Sequence, residues 1–144
     1  LIKMLLKEKK FGKQKFIVFF GSSKDLKNTE KITKHLKKIR VRNFCGELNL
    51  IEVVAHLKKC KIFIGNDSGL MHIASASGIP TLGLFGPSLE SRYAPKGSNA
   101  HYIRTTKTFN QLTGAKNFDW NTEKNLMNSL SVNSVFKKIK EILG

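Results

Sequence analysis

Long apolar runs and paired cysteines are both scarce in this sequence, and each absence narrows the class of protein. No apolar run approaches the roughly 20 residues that a membrane-spanning helix needs, and lysines interrupt the opening segment too often for a secretory signal peptide. Cys45 and Cys60 lie 15 residues apart, without a CxxC pair or a matching histidine spacing. We therefore expect two unpaired thiols in a reduced, cytosolic setting, and neither a zinc site nor a disulfide framework.

The motifs of several large enzyme classes are also missing. The sequence has no GxGxxG, no GxxxxGKS or GxxxxGKT, and no GxSxG. Their absence disfavours a common dinucleotide site, a P-loop and the serine nucleophile of an α/β-hydrolase.

Acidic residues are few, 10 against 26 lysines and arginines, which gives a formal net charge of +16. This excess favours non-specific attraction to an anionic surface. However, 22 of the basic residues are lysines and only 4 are arginines, the type that contacts bases and phosphates in bidentate fashion. We therefore expect no dedicated nucleic-acid site, and the lysine excess also fits a simple compositional bias.

The remaining pattern is that of a globular α/β protein. A length of 144 residues with 40% hydrophobic and 25% charged residues is typical of one domain, which we predict over residues 1–144. The alternation of elements predicts a three-layer sandwich with a mostly parallel sheet. The predicted order is helix 1–8, strand 15–20, helix 26–39, strand 40–45, helix 49–59, strand 61–64, helix 70–77, strand 81–85, loop 88–100, strand 101–104, loop 105–122 and helix 132–143.

Several elements carry a prediction about burial. The strand over residues 15–20 is continuously apolar, which favours burial on both faces. Asn49 and Glu52 form a capping-box pair at the start of their helix. Helical periodicity predicts inward-facing side chains at Leu26, Ile32, Leu36 and Ile39, at Leu50, Val53, Val54 and Leu57, and at Val135, Phe136, Ile139, Ile142 and Leu143.

The segment from Lys61 to Pro87 (KIFIGNDSGLMHIASASGIPTLGLFGP) predicts a strand, a tight turn, a helix and a second strand. Gly78 and Pro80 end this helix, since glycine accepts a left-handed cap and proline cannot continue a helix. In a parallel βαβ unit the end of the first strand and the helix N-terminus lie at one edge. Because that N-terminus has unpaired N–H groups and a positive dipole end, the turn is suited to phosphate.

Two interpretations of Asp67, Ser68 and Gly69 stay open at this turn. In the first, Asp67 or Ser68 caps the helix and Gly69 relieves the turn. In the second, the N–H groups of Ser68 and Gly69 bind a diphosphate, and Asp67 accepts from a sugar hydroxyl or holds the turn. His72 lies four residues after Ser68 on the same face, where it is either structural or a donor to a phosphate or sugar hydroxyl. The small residues over 74–77 predict close packing of helix on sheet.

The run IGNDSGLMHIASASGIPTLGLFGPS resembles the signature of glycosyltransferase family 9, the lipopolysaccharide heptosyltransferases. The likeness is near-continuous from Gly65 to Pro87. It extends more weakly through GELNLIEVVAHLKKCKIFIGNDSG upstream and LMNSLSVNSVFKKIKEIL downstream, and so covers about residues 15–144. The resemblance implies the Rossmann-like C-terminal half of a two-domain GT-B glycosyltransferase.

The resemblance also implies an activity and a site. The enzyme would transfer heptose from ADP-heptose to the lipopolysaccharide inner core with inversion, without a metal or cofactor. Asp67, Ser68, Gly69 and His72 fall on the family's motif for the donor diphosphate and sugar. Leu48 falls where an apolar side chain flanks the adenine, and Asp25 falls where an acidic residue binds the ribose.

The family's general base and acceptor site belong to an N-terminal domain. Since the sequence begins at Leu1 in the middle of a helical pattern, we interpret the chain as a C-terminal fragment that is inactive alone. Its partners would be a nucleotide-sugar donor and a lipopolysaccharide-core acceptor, in the cytoplasm with peripheral contact to the anionic inner face of the membrane. Two alternatives are a non-catalytic nucleotide-binding α/β module and a basic nucleic-acid-binding domain.

Overall fold

A computed structural model describes residues 1–12, 16–36, 40–114, 116–120, 122 and 125–144. None of the described helices has the length and apolar character that crossing a bilayer requires. The strands in this part of the chain are β1 (Phe16–Phe19), β2 (Arg40–Asn43), β3 (Phe63–Asn66), β4 (Thr81–Phe85) and β5 (Ala100–Arg104). The helices are α1 (Ile2–Lys7), α2 (Leu26–Thr33), α3 (Leu50–Leu57), α4 (Gly69–Ala76), α5 (Glu90–Tyr93), α6 (Phe109–Thr113) and α7 (Val132–Leu143).

The chain divides into two compact units, Ile2–His56 and Leu57–Gly144, with Leu1 counted in the second. In the N-terminal unit β1 and β2 pair in parallel, with Phe16 opposite Arg40 and Phe19 opposite Asn43. Helix α2 connects the two strands. This is the strand–helix–strand arrangement that alternating apolar runs predict.

In the C-terminal unit the sheet order is β3–β4–β5, and both pairings are parallel. Thr81 lies opposite Phe63 on one side and Ala100 on the other, so β4 is the central strand. Its side chains are almost all buried, which explains why its sequence shows no polar alternation. The predicted α/β class with parallel strand pairing is confirmed.

Helix α4 packs on β3 and β4 through its fully buried Met71 and Ala74. Close approach is possible because β4 has glycine at position 83, where a methyl group would lie 2.6 Å from Sδ of Met71. Gly78 has a φ of +80°, and its N–H bonds the carbonyl of Ser75, so the predicted glycine cap of this helix is confirmed. The predicted close packing of the small residues of this helix on the sheet is confirmed at Ala74, which is fully buried.

Three burial predictions were wrong. Ile32 is 45% exposed, because the buried face of α2 is set by Thr29, whose hydroxyl accepts from the Asn43 amide at 2.8 Å. Leu50 is 59% exposed at the N-terminal end of α3, although Val53 and Leu57 of the same helix are buried. Phe16, at the start of β1, is 60% exposed, so this strand is not covered on both faces along its length. Lys15 and Ile39 lie outside the described residues.

Two segments predicted as loops contain short helices. Residues 88–100 include α5, and residues 105–122 include α6. Helix α6 begins with a capping box, in which Thr108 N–H donates to Oε1 of Gln111 at 2.8 Å and Gln111 N–H donates to Oγ1 of Thr108 at 3.2 Å. The terminal helix α7 has the predicted bounds, and its Val135 and Ile139 are buried.

Candidate functional site

The candidate site is the turn between β3 and α4. Strand β3 ends at Asn66, and Asp67 leads into Ser68, whose extended backbone (φ −161°, ψ 163°) makes it the N-cap of α4. Its hydroxyl oxygen accepts from the N–H of Met71 at 3.4 Å, and its carbonyl accepts from the same N–H at 3.1 Å. Ser68, not Asp67, is therefore the residue that caps the helix.

Gly69 is the first residue of α4, and packing within the protein does not require a glycine there. A methyl group at this position would meet no atom within 4 Å. The backbone N–H groups of Gly69 and Leu70 have no hydrogen-bond partner in the described part of the chain. Such N–H groups, at the positive end of the helix dipole, are suited to bind an anion by donating hydrogen bonds to it.

Asp67 and His72 lie together beside this helix start. Nε2 of His72 is 3.8 Å from Oδ1 of Asp67. The Asp67 side chain is 21% exposed, whereas that of His72 is 48% exposed and faces solvent. The structure thus brings four of the predicted site residues together, namely Asp67, Ser68, Gly69 and His72.

His72 also lines a cleft of about 320 Å³ on the outer side of α4. The other residues of this cleft are Ser75, Ala76, Arg92, Ala94 and Lys96. None of them is acidic, and the hydroxyl of Ser75 already donates to the carbonyl of Lys96 at 2.6 Å. The lining of this cleft therefore favours an anionic ligand, although the Asp67 carboxylate lies on another side of His72.

The two remaining predicted residues, Asp25 and Leu48, belong to the N-terminal unit. Oδ2 of Asp25 accepts from both N–H and Oγ of Ser22, each at 2.8 Å, and so closes the turn that follows β1. A methyl group on Gly21 would lie 2.8 Å from that carboxylate oxygen, so the glycine permits this turn. Leu48 is half-buried just before the Asn49–Glu52 capping box of α3, whose two hydrogen bonds are 2.8 and 3.0 Å long.

The two cysteines are free thiols, as predicted. Burial raises the pKa of both the Cys45 and the Cys60 thiol. Among the residues that the structure describes, no three histidine, cysteine, aspartate or glutamate side chains cluster where they could hold a metal ion.

Parallel strands joined by helices, with the β3–α4–β4 unit presenting a helix N-terminus, are the architecture of a Rossmann-like α/β protein. Within that class, the family model "Glycosyltransferase family 9 (heptosyltransferase)" matches residues 6–118. The chain belongs to this family, which confirms the resemblance of the run from Gly65 to Pro87.

Curated relatives match part of the chain. It is 37% identical over 91 residues to lipopolysaccharide heptosyltransferase 2 of Escherichia coli (strain K12), covering 61% of this chain and 26% of that protein. It is 38% identical over 92 residues to lipooligosaccharide heptosyltransferase 2 of Haemophilus influenzae (strain ATCC 51907 / DSM 11121 / KW20 / Rd), again covering 61% and 26%. The chain thus spans about a quarter of the length of these relatives.

A solved structure is similar over nearly the whole chain. The E. coli ADP-heptose LPS heptosyltransferase II has a TM-score of 0.74 and 27% identity, covering 98% of this chain and 38% of that one. This similarity confirms the expected Rossmann-like fold of a GT-B glycosyltransferase of the family.

Sequence reasoning missed Arg92 and Lys96 as neighbours of His72. They follow β4 in the segment 88–100, which was predicted to be a loop. Its two basic residues, Arg92 and Lys96, gave no usable signal in so lysine-rich a chain.

Proposed function

We propose that this chain forms the donor-binding part of a glycosyltransferase that moves heptose from ADP-heptose to the inner core of lipopolysaccharide, with inversion and without a metal. The observation that carries the proposal is the open N-terminus of α4. Gly69 is exposed at this helix start, and a methyl group on it would meet no protein atom within 4 Å, so no packing contact requires a glycine there. Unpaired N–H groups at a helix start bind phosphate groups, and the donor that we propose has a diphosphate.

His72 and Asp67 extend this donor site. The exposed His72 imidazole stands beside the helix start, in a cleft whose other ionisable side chains are Arg92 and Lys96. We assign it as a donor to a phosphate or a sugar hydroxyl. Asp67, 3.8 Å away, would repel a phosphate at close range, so we assign it to a hydroxyl of the sugar or to orienting the imidazole.

The reaction requires charge stabilisation where the leaving group departs. The acceptor hydroxyl oxygen bonds to the anomeric carbon on the face opposite ADP, while the bond from that carbon to the diphosphate oxygen breaks. Negative charge grows on the diphosphate as ADP leaves. The N–H groups at the start of α4 and the dipole of that helix are fixed in position to stabilise it.

The hydroxyl proton goes to a general base that we assign to the partner domain of the full enzyme, together with the acceptor site. The isolated chain is accordingly a binding module that lacks turnover. Asp25 and Leu48 keep their assignments to ribose and adenine, which rest on the family resemblance. The net charge of +16 supports peripheral contact with an anionic cytoplasmic leaflet.

Calorimetric titration of the chain with ADP-heptose and with ADP tests the proposal. We expect both to bind, and ADP-heptose to bind more tightly, because the sugar adds contacts to Asp67 and His72. Equal affinity for the two would favour the alternative of a nucleotide-binding module without sugar recognition. No binding of either, or heptose transfer by the chain alone, would contradict the proposal.

A further inference from the structure

A second cleft, which we name the aromatic cleft, opens beside the carboxyl end of β4. It has a volume of about 410 Å³, within the range of small-ligand sites. Ser88 lies just beyond the end of β4, so the cleft lies at the edge of the parallel sheet where ligands commonly bind. Its walls are Pro87, Ser88, Leu89, Arg92, Tyr93, Phe109 and Trp120.

Large apolar side chains line this cleft and remain accessible. Trp120, the single tryptophan of the chain, is 67% exposed, and Tyr93 is 41% exposed. The indole is nevertheless held by ring contacts, with its centroid 4.9 Å from that of Phe118 and 6.4 Å from that of Phe109. Exposed aromatic surface held in place around a concave site indicates a binding function.

Polar groups stand at the rim. The Arg92 guanidinium carbon lies 5.2 Å above the centroid of the Tyr93 ring. Within the described residues Arg92 has no ion-pair partner, since Glu90 of the same helix pairs with Arg104. Ser88 is the other polar residue of the lining. The cleft thus combines aromatic side chains, a serine and one cation, Arg92, which also lines the cleft beside His72 and can pair with an anion.

Arg104 fixes the walls relative to one another. Besides its ion pair with Glu90 of α5, its guanidinium donates to the carbonyl of Gly86 at 3.0 Å and to that of Lys107 at 3.3 Å. These partners lie in the segment after β4, in α5 and in the segment before α6. One side chain therefore ties together three of the segments around the cleft, whereas Trp120 belongs to a further segment that Arg104 does not bond.

We propose that the aromatic cleft binds a sugar ring that carries a negatively charged substituent. A pyranose has C–H faces that cover aromatic rings and a rim of hydroxyls for Ser88, and its anionic group would pair with Arg92. A hydrocarbon chain would leave Ser88 and Arg92 desolvated without partners. A free phosphate would leave the aromatic walls uncovered. This proposal does not rest on the proposed function, which assigns the acceptor site to the partner domain, so the cleft is a separate sugar-binding site of this chain.

Fluorescence of Trp120, the only indole, reports the cleft directly. In a titration of the protein with glucose 6-phosphate, we expect a saturable change in emission and about tenfold weaker binding of glucose, because the charge-assisted bond to Arg92 is missing. Arg92→Ala should weaken glucose 6-phosphate binding by about tenfold, and Arg42→Ala, which removes an equal charge that is paired with Glu47, should leave it unchanged. Trp120→Ala should abolish glucose 6-phosphate binding, which is measured by calorimetry in this variant because the indole is gone. Tyr102→Ala, at an exposed tyrosine outside the cleft, should leave the binding unchanged.

Other occupants give other results. Equal binding of inorganic phosphate and glucose 6-phosphate, or an emission change with adenosine or phosphatidylglycerol vesicles but not with the sugar phosphate, would overturn the proposal. His72→Ala separates the two sites, since it should weaken ADP binding and leave the Trp120 signal intact. A chain that fails to bind ADP but binds glucose 6-phosphate at Trp120 would contradict the proposed function and support the cleft.

Discussion

Nε2 of His72 lies 3.8 Å from Oδ1 of Asp67, across the start of α4. This distance is longer than a direct hydrogen bond, so the Asp67 carboxylate lies beside the imidazole without bonding Nε2. About half of the His72 side chain is exposed. The ring is therefore accessible to a ligand oxygen, as the proposed donor site requires.

Replacing the imidazole tests this interpretation. His72→Ala should weaken binding of ADP-heptose by roughly ten- to hundredfold, the loss expected for a hydrogen bond to a charged group. Because His72 is exposed, the unfolding midpoint in urea should stay nearly constant. Calorimetry measures the affinity, and His35→Ala, at an exposed histidine of the N-terminal unit, serves as the control. Unchanged affinity in His72→Ala would remove His72 from the site.

Gly69 and Gly83 should respond to alanine in opposite ways. At Gly69 a methyl group meets no protein atom, and alanine favours a helix by up to about 1 kcal/mol, so Gly69→Ala should leave stability equal or higher. The same methyl group fills the space that a diphosphate would occupy, so donor affinity should fall.

Gly83→Ala is the matched comparison. Its methyl group would lie 2.6 Å from Sδ of Met71 and 2.8 Å from the Phe85 ring. We expect a loss of about 1–3 kcal/mol in the free energy of unfolding, with donor affinity preserved in the folded fraction. Thermal unfolding and calorimetry distinguish the two variants, and a destabilised Gly69→Ala with intact donor affinity would contradict the proposed role of the open helix start.

We expect Ser68 to have two roles. Its hydroxyl oxygen caps the helix, and its backbone N–H contacts the ligand. Ser68→Ala removes the acceptor for Met71 N–H and should cost about 0.5–1 kcal/mol, the lower part of the range for N-caps, since the observed bond is 3.4 Å long. Ser68→Asp restores a cap but places a negative charge beside the phosphates. It should therefore retain stability and lose donor binding, and equal donor binding by the two variants would argue against an anion at this turn.

The exposed residues of α3 should tolerate polar substitution. Ile51 is 83% exposed, so Ile51→Gln should change the free energy of unfolding by less than about 0.5 kcal/mol. Leu57, fully buried at the end of the same helix, should lose about 2–5 kcal/mol as Leu57→Ala. Urea unfolding of both variants measures the difference, and a large loss in Ile51→Gln would indicate that this side chain is covered in solution.

Cys45 should make stability depend on pH in the alkaline range. Burial raises the pKa of its thiol, with Asp25 and Glu47 acting in the same direction and the hydrogen bond with Thr29 opposing them. The folded thiol therefore holds its proton at a pH where the unfolded thiol already ionises. This contribution to stability is complete below the unfolded pKa of roughly 8.5 and is lost as pH rises above it.

Urea midpoints measured from neutral pH upward should consequently fall more steeply for the wild type than for Cys45→Ala. The same pair of proteins controls for the lysines and tyrosines, which titrate in both. Parallel pH profiles for the two proteins would show that the Cys45 thiol ionises equally in the folded and unfolded states.

Local sequence was sufficient to predict an element where one short run of residues determines the geometry of that element. The β3–α4–β4 unit, with its glycine end at Gly78, follows from the residues in and next to the turn, whereas the sequence left open whether Asp67 or Ser68 caps the helix. The Asn49–Glu52 capping box was predicted and is present in the structure. For the candidate site, the sequence predicted which residues share the turn.

Tertiary contacts decided the features that the sequence did not predict. Periodicity placed Ile32 inward, but the hydrogen bond between Thr29 and Asn43, which are far apart in sequence, turns a polar residue to the buried side of α2. Helix α5 has only four residues, too few to show a helical period. The start of α6, in contrast, was predictable, because Thr108 and Gln111 have the sequence pattern of a capping box. The walls of the aromatic cleft come from several segments, so no local pattern reveals that Leu89 and Trp120 line one cleft.

The three interactions of Arg104 have a thermodynamic consequence for any occupant of the aromatic cleft. Because the carbonyls of Gly86 and Lys107 and the carboxylate of Glu90 converge on one guanidinium, the segments that carry these three residues are held together before a ligand arrives. Binding then loses little conformational entropy in the protein, and a small, weakly interacting molecule such as a single sugar ring keeps more of its contact energy as affinity.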